Sequence, residues 1–116
     1  MHIPTWSRYV KCTGEPLLRA TYQPKELEFC AGRPDRLSTR LAAKEAVLKV
    51  LGTGIRGVSL RDVEIVSAPE GKPTVRLHGP AADRAEELRL IGIEISLCHE
   101  KDFALAVAAG RERMEP

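Results

Sequence analysis

A chain of 116 residues has the length of one domain and is too short for two full cores. Its 43% hydrophobic and 29% charged residues are an ordinary globular composition, and a net charge of +2 gives no strongly basic footprint for nucleic acid. Cys12, Cys30 and Cys98 are odd in number and lack CxxC spacing. They argue against a disulfide framework or a zinc site and for a reducing compartment. No apolar run approaches the roughly 20 residues of a membrane span and no signal peptide is read, so the expectation is a soluble, cytoplasmic protein.

In chain order, Met1 to Ile3 reads as the tail of a preceding element. Thr5 to Val10 reads as a short helix capped by Thr5, ended by Thr13-Gly14-Glu15-Pro16. Leu17 to Tyr22 is ambiguous. Pro24 takes a first-turn position ahead of Lys25–Cys30, a short helix with Leu27 and Cys30 on one side. From Arg8 to Lys25 the basic residues Arg8, Lys11, Arg19 and Lys25 face a single acid, Glu15, so an acidic partner suits that end.

The stretch Asp35 to Gly52 is the organising element. Asp35 is the expected N-cap and Gly52 the stop, with no Gly or Pro between them. Leu37, Leu41, Leu48 and Leu51 form one face, Ala43, Val47 and Val50 an adjacent one, and Ala42 and Ala46 line the back. A helix that is apolar nearly all round is buried on most sides, and its charges then need partners. Lys44 projects between Leu37 and Leu51; Glu45 and Lys49 stand together on the flank of the leucine face. One reading of them is an i,i+4 salt bridge. The other is a carboxylate and amines facing a polyanion and its metal.

Gly52-Thr53-Gly54-Ile55-Arg56-Gly57 spells G-x-G-x-x-G, yet it follows a helix and precedes strand-like sequence. The dinucleotide fingerprint needs the opposite order, so these glycines read as a C-cap and connection. Leu60 to Val66 reads as a strand and Ala68 to Pro73 as a turn. Thr74 to His78 reads as the returning strand, with Val75 and Leu77 inward. Pro80 opens a helix over Ala81 to Leu90. Ile91, Ile93, Ile95 and Leu97 alternate with polar or small residues in a half-buried strand ending at Cys98-His99. Glu100-Lys101-Asp102 is a turn, Phe103 to Ala109 a last strand, and Arg111 to Pro116 a charged tail. The predicted fold is α+β, an antiparallel sheet wrapped around a central helix over 35–51.

Several segments together resemble one family. TRLAAKEAVLKVLGTG (Thr39–Gly54) resembles the signature helix of holo-acyl-carrier-protein synthases, which are 4′-phosphopantetheinyl transferases. The hairpin GKPTVRLHG (Gly71–Gly79) and the ending EISLCHEKDFALAVA (Glu94–Ala108) follow in the family's order. YQPKEL (Tyr22–Leu27) resembles its aromatic-Thr-x-x-Glu-Leu segment, with Gln23 where Thr is usual.

The resemblance implies that coenzyme A and Mg²⁺ are taken up and the 4′-phosphopantetheine arm moves to a serine of an apo acyl carrier protein. Adenosine 3′,5′-bisphosphate leaves. By the same resemblance Glu45 is the metal carboxylate and a catalytic residue. Lys49 is catalytic and, with Arg40 and Lys44, faces the phosphates. Gly71 and Pro73 form the turn that approaches the nucleotide, and Ser96 and His99 lie near the coenzyme's phosphates. Cys98 replaces a usual hydroxyl. Arg8 and Arg19 are the implied carrier-protein contacts, and the implied assembly is a homotrimer with sites between subunits. The family's first strand carries a second metal-binding Asp; Ile3 matches the end of that strand, and no acid precedes Glu15. The expectation is therefore either a start placed late or a chain lacking one ligand and one strand, with weaker Mg²⁺ binding and impaired folding in the second case. The alternative function is a non-catalytic binder of coenzyme A or carrier protein. A nucleic-acid-binding domain is the third reading, disfavoured by the charge.

Overall fold

The structure, a computed structural model, describes residues 1–4, 14–52, 57–67 and 71–114. The expected Thr5–Val10 helix, Cys12 and Arg8 lie outside the described residues. Helix α1 spans Glu15–Thr21, α2 Pro24–Cys30 and α3 Pro34–Leu51. A 3₁₀ turn at Leu60–Asp62 leads into β1 (Val63–Val66), followed by β2 (Thr74–Leu77), α4 (Gly79–Glu87), β3 (Leu90–His99) and β4 (Ala104–Glu112). The strands form two separate antiparallel ladders, β1–β2 and β3–β4, laid against the central helix. The α+β expectation of antiparallel strands around a central helix holds, and among the described residues those strands pair as two hairpins.

The ambiguous Leu17–Tyr22 stretch is helical through Thr21, with Tyr22 as its extended C-cap, because Pro16 supplies a first-turn residue and Glu15 an acid at the N-terminal dipole. Pro34 likewise occupies the first turn of α3, which moves the N-cap back to Arg33. Asp35, the expected cap, sits inside that turn, its carboxylate held by the Arg33 guanidinium at 3.2 and 3.3 Å. Gly52 ends the helix at φ 63°, a left-handed conformation, with its N–H donating to the Leu48 and Lys49 carbonyls.

Helix α3 divides the interior. Its first half packs Leu37 and Leu41 on Tyr22 and Cys30; its second half packs Ala43, Val47 and Leu51 on Val58, Val63, Ile65, Ala81 and Ile95. The Tyr22 hydroxyl donates to the Leu37 carbonyl at 2.7 Å, which satisfies the polar end of that buried ring.

Several boundaries differ from those read in the sequence. Leu60–Asp62 is a 3₁₀ turn because the Asp62 carboxylate accepts the Ser59 N–H and closes it locally. Helix α4 stops at Glu87, with Arg89 at φ 60°, and Leu90 already belongs to β3. A register shift between Leu90 and Gly92 turns Ile91 outward, leaving it 56% exposed. β4 runs on through Arg111 and Glu112, so part of the expected tail is strand. At the other end, Met1 exchanges both backbone hydrogen bonds with Ala104, and Ile3 N–H donates to Asp102 O. The first residues thus lie antiparallel to the start of β4, with a bridge at His2–Phe103.

Candidate active site

On α3 the residues Ala42, Glu45, Ala46, Lys49 and Val50 recur at three- and four-residue steps and make one stripe. They form one wall of a groove of about 500 Å³; Ala104, Leu105, Ala106 and Ala108 of β4 form the other, and Met1 lies at its end. Small side chains on both walls keep the groove open. Glu45 and Lys49 are exposed on its lip. Neither makes an ion pair or hydrogen bond with a described residue, so the i,i+4 bridge allowed by the spacing is not formed. A carboxylate and an amine one turn apart are left available to a ligand.

Lys44 behaves differently. Its side chain is fully buried, with Nζ 2.7 Å from Glu26 Oε1 on α2. Nζ also donates to the Leu60 carbonyl at 3.0 Å and to the Val63 carbonyl. Burial pushes its pKa down, and the Glu26 carboxylate opposes that shift. The Lys44 amine turns into the interior, away from the groove, where water is excluded and a carboxylate and two carbonyls replace it. Arg40 is also buried. Its guanidinium stacks 3.9 Å from the Phe29 ring centroid and donates to Ser67 Oγ. Burial lowers its pKa too, against the pull of Cys30 and Glu26. Arg40 is thus a brace between α2, α3 and the end of β1, outside the groove lining.

The other expected residues are spread over the molecule. Gly71 and Pro73 lie before β2, tied to β3 through Lys72 and Glu94 at 3.2 Å. Ser96 lies on β3 opposite Val107, on the face turned away from the buried Ile95. His99 is exposed at the end of β3, opposite Ala104 of the groove wall. Arg19 is exposed on α1 and pairs with Glu15 at 3.2 Å. Within one chain, then, Glu45 and Lys49 come together at the groove, His99 ends beside it, and Gly71, Pro73 and Ser96 stand elsewhere.

Glu26 was missed as a partner of Lys44. The available signal was Gln23-x-x-Glu26, an N-cap pattern that turns the carboxylate back toward the helix start, where Oε1 accepts the Gln23 N–H at 2.8 Å. Glu64, 5% exposed and 2.8 Å from His78 Nε2, was missed as well. Among the described residues no group of three acidic, His or Cys side chains converges as a metal site. Glu45 is the one carboxylate among the described residues lining the groove, and it has no described partner. That donor set fits a hard divalent cation held by one carboxylate, with substrate phosphate oxygens and waters completing the shell.

Comparison with known proteins identifies the family and the fold. The profile of the 4′-phosphopantetheinyl transferase superfamily matches residues 2–108. The holo-[acyl-carrier-protein] synthase of Gloeobacter violaceus is 36% identical over 113 residues, covering 94% of this chain and 86% of the relative. The crystal structure of the holo-[acyl-carrier-protein] synthase from Neisseria meningitidis superposes with a TM-score of 0.84 at 33% identity, covering 97% of this chain and 93% of that one. The Helicobacter pylori synthase in complex with coenzyme A has the same fold, with a TM-score of 0.85 at 24% identity and coverage of 96% and 95%. With a match that runs almost end to end in sequence and in fold, the chain belongs to the 4′-phosphopantetheinyl transferase superfamily.

Proposed function

We propose that this chain transfers the 4′-phosphopantetheine group of coenzyme A to a serine of an apo acyl carrier protein, releasing adenosine 3′,5′-bisphosphate. The observation that carries the reading is the pair Glu45 and Lys49, exposed and without a described partner on the wall of a groove of about 500 Å³. Relatives that share this chain's family are named for that reaction, and one solved relative of the same fold contains coenzyme A.

In the mechanism the carrier serine oxygen forms a bond to the phosphorus that bears the pantetheine arm. The bond from that phosphorus to the bridging pyrophosphate oxygen breaks. The Lys49 ammonium lies against the non-bridging oxygens and offsets their negative charge as it redistributes. Glu45 holds a water by one carboxylate oxygen; this water takes the serine proton and passes one of its own on to the Glu45 carboxylate. When bound, Mg²⁺ supplies Lewis-acid stabilisation of the phosphate oxygens, with Glu45 as its protein ligand. Lys44 and Arg40 hold the helix that presents these groups.

The carrier-protein role assigned to Arg19 is supported by its exposure on α1, where a cation suits an acidic partner. A homotrimer accounts for the exposed apolar side chains Leu105 and Val107 on the outer face of β4, beside Ser96. Association through that face brings Ser96 of one copy toward another copy's site.

The test is intact mass spectrometry of an apo carrier protein incubated with this chain, coenzyme A and Mg²⁺. It is run beside a version extended by an Asp-bearing N-terminal strand and a Glu45→Ala control. Gain of the phosphopantetheine mass, lost in the control, supports the transferase reading. Gain with the extended version alone assigns a required carboxylate to the segment before Met1. A folded chain that binds coenzyme A with no gain in either version would establish the non-catalytic binder instead, a reading favoured by the single carboxylate at the described groove.

A further inference from the structure

The Glu26–Lys44 pair does not line the groove, and both of its members are satisfied in the interior. Both side chains are fully buried at a separation of 2.7 Å. The ammonium donates to Glu26 Oε1, Leu60 O and Val63 O, which uses all its protons. On the acid, Oε1 also accepts the Gln23 N–H at 2.8 Å and Oε2 the Ile65 N–H at 3.1 Å. One ion pair therefore joins α3 to α2, to the 3₁₀ turn and to β1. Such a pair is a poor source of stability, because a well-packed apolar replacement often does as well. Its distinctive contribution is direction, since each hydrogen bond fixes an angle as well as a distance.

Direction matters at this place in the chain. Glu45 follows Lys44 immediately, about 100° further round the helix, and Lys49 stands a turn beyond Glu45. Neither groove residue has a described partner to hold its side chain. Their placement is inherited from the rotation of α3 about its own axis, and Lys44 is the residue whose side chain anchors that rotation from an adjacent, buried face. Leucines on the same helix can slide against apolar neighbours at little cost; an ammonium bound to a carboxylate and two carbonyls cannot.

We infer that the buried Glu26–Lys44 pair is a positioning device that fixes the rotation of α3 and so holds Glu45 and Lys49 on the groove. The inference rests on the transferase reading of that groove. It predicts that removing both charges together disturbs coenzyme binding more than it disturbs the fold.

The experiment compares the full chain with a Glu26→Gln/Lys44→Met double variant, a Glu26→Gln single variant and a Leu37→Ala core control. For each, thermal unfolding is measured, coenzyme A is titrated calorimetrically in the presence of Mg²⁺, and kcat and KM for the carrier protein are read by mass spectrometry. Expected is a fall of about tenfold or more in coenzyme A affinity and kcat for the double variant, the scale seen when residues supporting a metal ligand are lost. The KM for the carrier stays near the parent value, and Glu26→Gln falls between. Leu37→Ala lowers the unfolding temperature without changing coenzyme affinity. Parental coenzyme affinity and kcat in Glu26→Gln, or a loss no larger than that of a core control of equal stability, would reduce the pair to a structural role. Should the double variant fail to fold, the Glu26→Gln comparison alone decides. A parent chain that binds coenzyme A without transferring would overturn the function and leave the calorimetric comparison to judge the positioning.

Discussion

Lys44 and Glu45 are adjacent in sequence and opposite in fate, and the contrast sets two predictions at the residue scale. Glu45→Ala removes an exposed carboxylate with no described partner, so unfolding free energy should change by no more than about 0.5 kcal/mol. Transfer activity should fall by about a hundredfold or more, the scale of losing one principal electrostatic group. Lys44→Ala strands the buried Glu26 carboxylate and should cost about 3–5 kcal/mol, measured by urea denaturation. A destabilised Glu45→Ala or an unperturbed Lys44→Ala would contradict the assignment. Cys30 gives a pH prediction. Burial pushes its thiol up to about 11 from 9.0, partly opposed by Arg40. The folded state therefore keeps the proton that the unfolded chain releases first. Its stabilising contribution is complete below pH 9.0 and is lost as pH rises through about 11. Replacement by Ala should flatten the decline in stability over that window. Peptide mapping after brief alkylation of the native protein should find exposed Cys98 modified and buried Cys30 protected.

Element by element, the sequence was most legible where a single local rule governs. Gly52 stops α3 because only a left-handed residue closes its last turn, and Pro24 opens α2 because its ring suits a first turn. Legibility failed where distant contacts decide. Ile91 alternates with its neighbours in sequence, but the shift at Leu90/Gly92 inverts its face. Close approach of β4 to α3 is another tertiary fact. A Cβ on Gly110 would lie 2.8 Å from Val50 Cγ1 and 3.1 Å from Leu90 Cδ2. Gly110→Ala should thus cost about 1–3 kcal/mol of stability, as overpacking does, and Val50→Ala should restore part of it. At Gly92 the nearest obstacle is the end of the Arg111 side chain at 2.5 Å, which can swing away, so Gly92→Ala should be the milder change. Thermal unfolding of the set checks the order; equal losses at Gly92 and Gly110 would refute it.

At the scale of the whole molecule, apolar surface is left over. Phe103, Leu105 and Val107 are 61%, 60% and 59% exposed along one end of the second hairpin, with Ile91 further along β3. Leu105 and Val107 point to the same side because strand residues two apart share a face. The proposed homotrimer predicts that Val107→Glu lowers the mass found by light scattering to that of a single chain and abolishes transfer, with the secondary structure retained. A parent chain that is itself a monomer and fully active would remove the assembly from the mechanism. Among the described residues no helix is long and apolar enough to cross a membrane.

Sequence alone determined that a long helix with apolar residues on nearly every side lies at the centre, that hairpins follow it, and that Glu45 and Lys49 share a flank. These follow from period, capping and turn chemistry, which act over a few residues. It also carried the family resemblance, since Thr39–Gly54 is one uninterrupted stretch. Tertiary structure alone decided which charges are buried and which stay free. Lys44, Glu45 and Lys49 are equally polar letters on one helix, and their roles separate only when Glu26 arrives from α2 and the Leu60 and Val63 carbonyls arrive from beyond the helix. The physical reason is range: a helix fixes the angle at which a side chain leaves its axis, while the dielectric and the partners waiting there are set by elements far away in the chain.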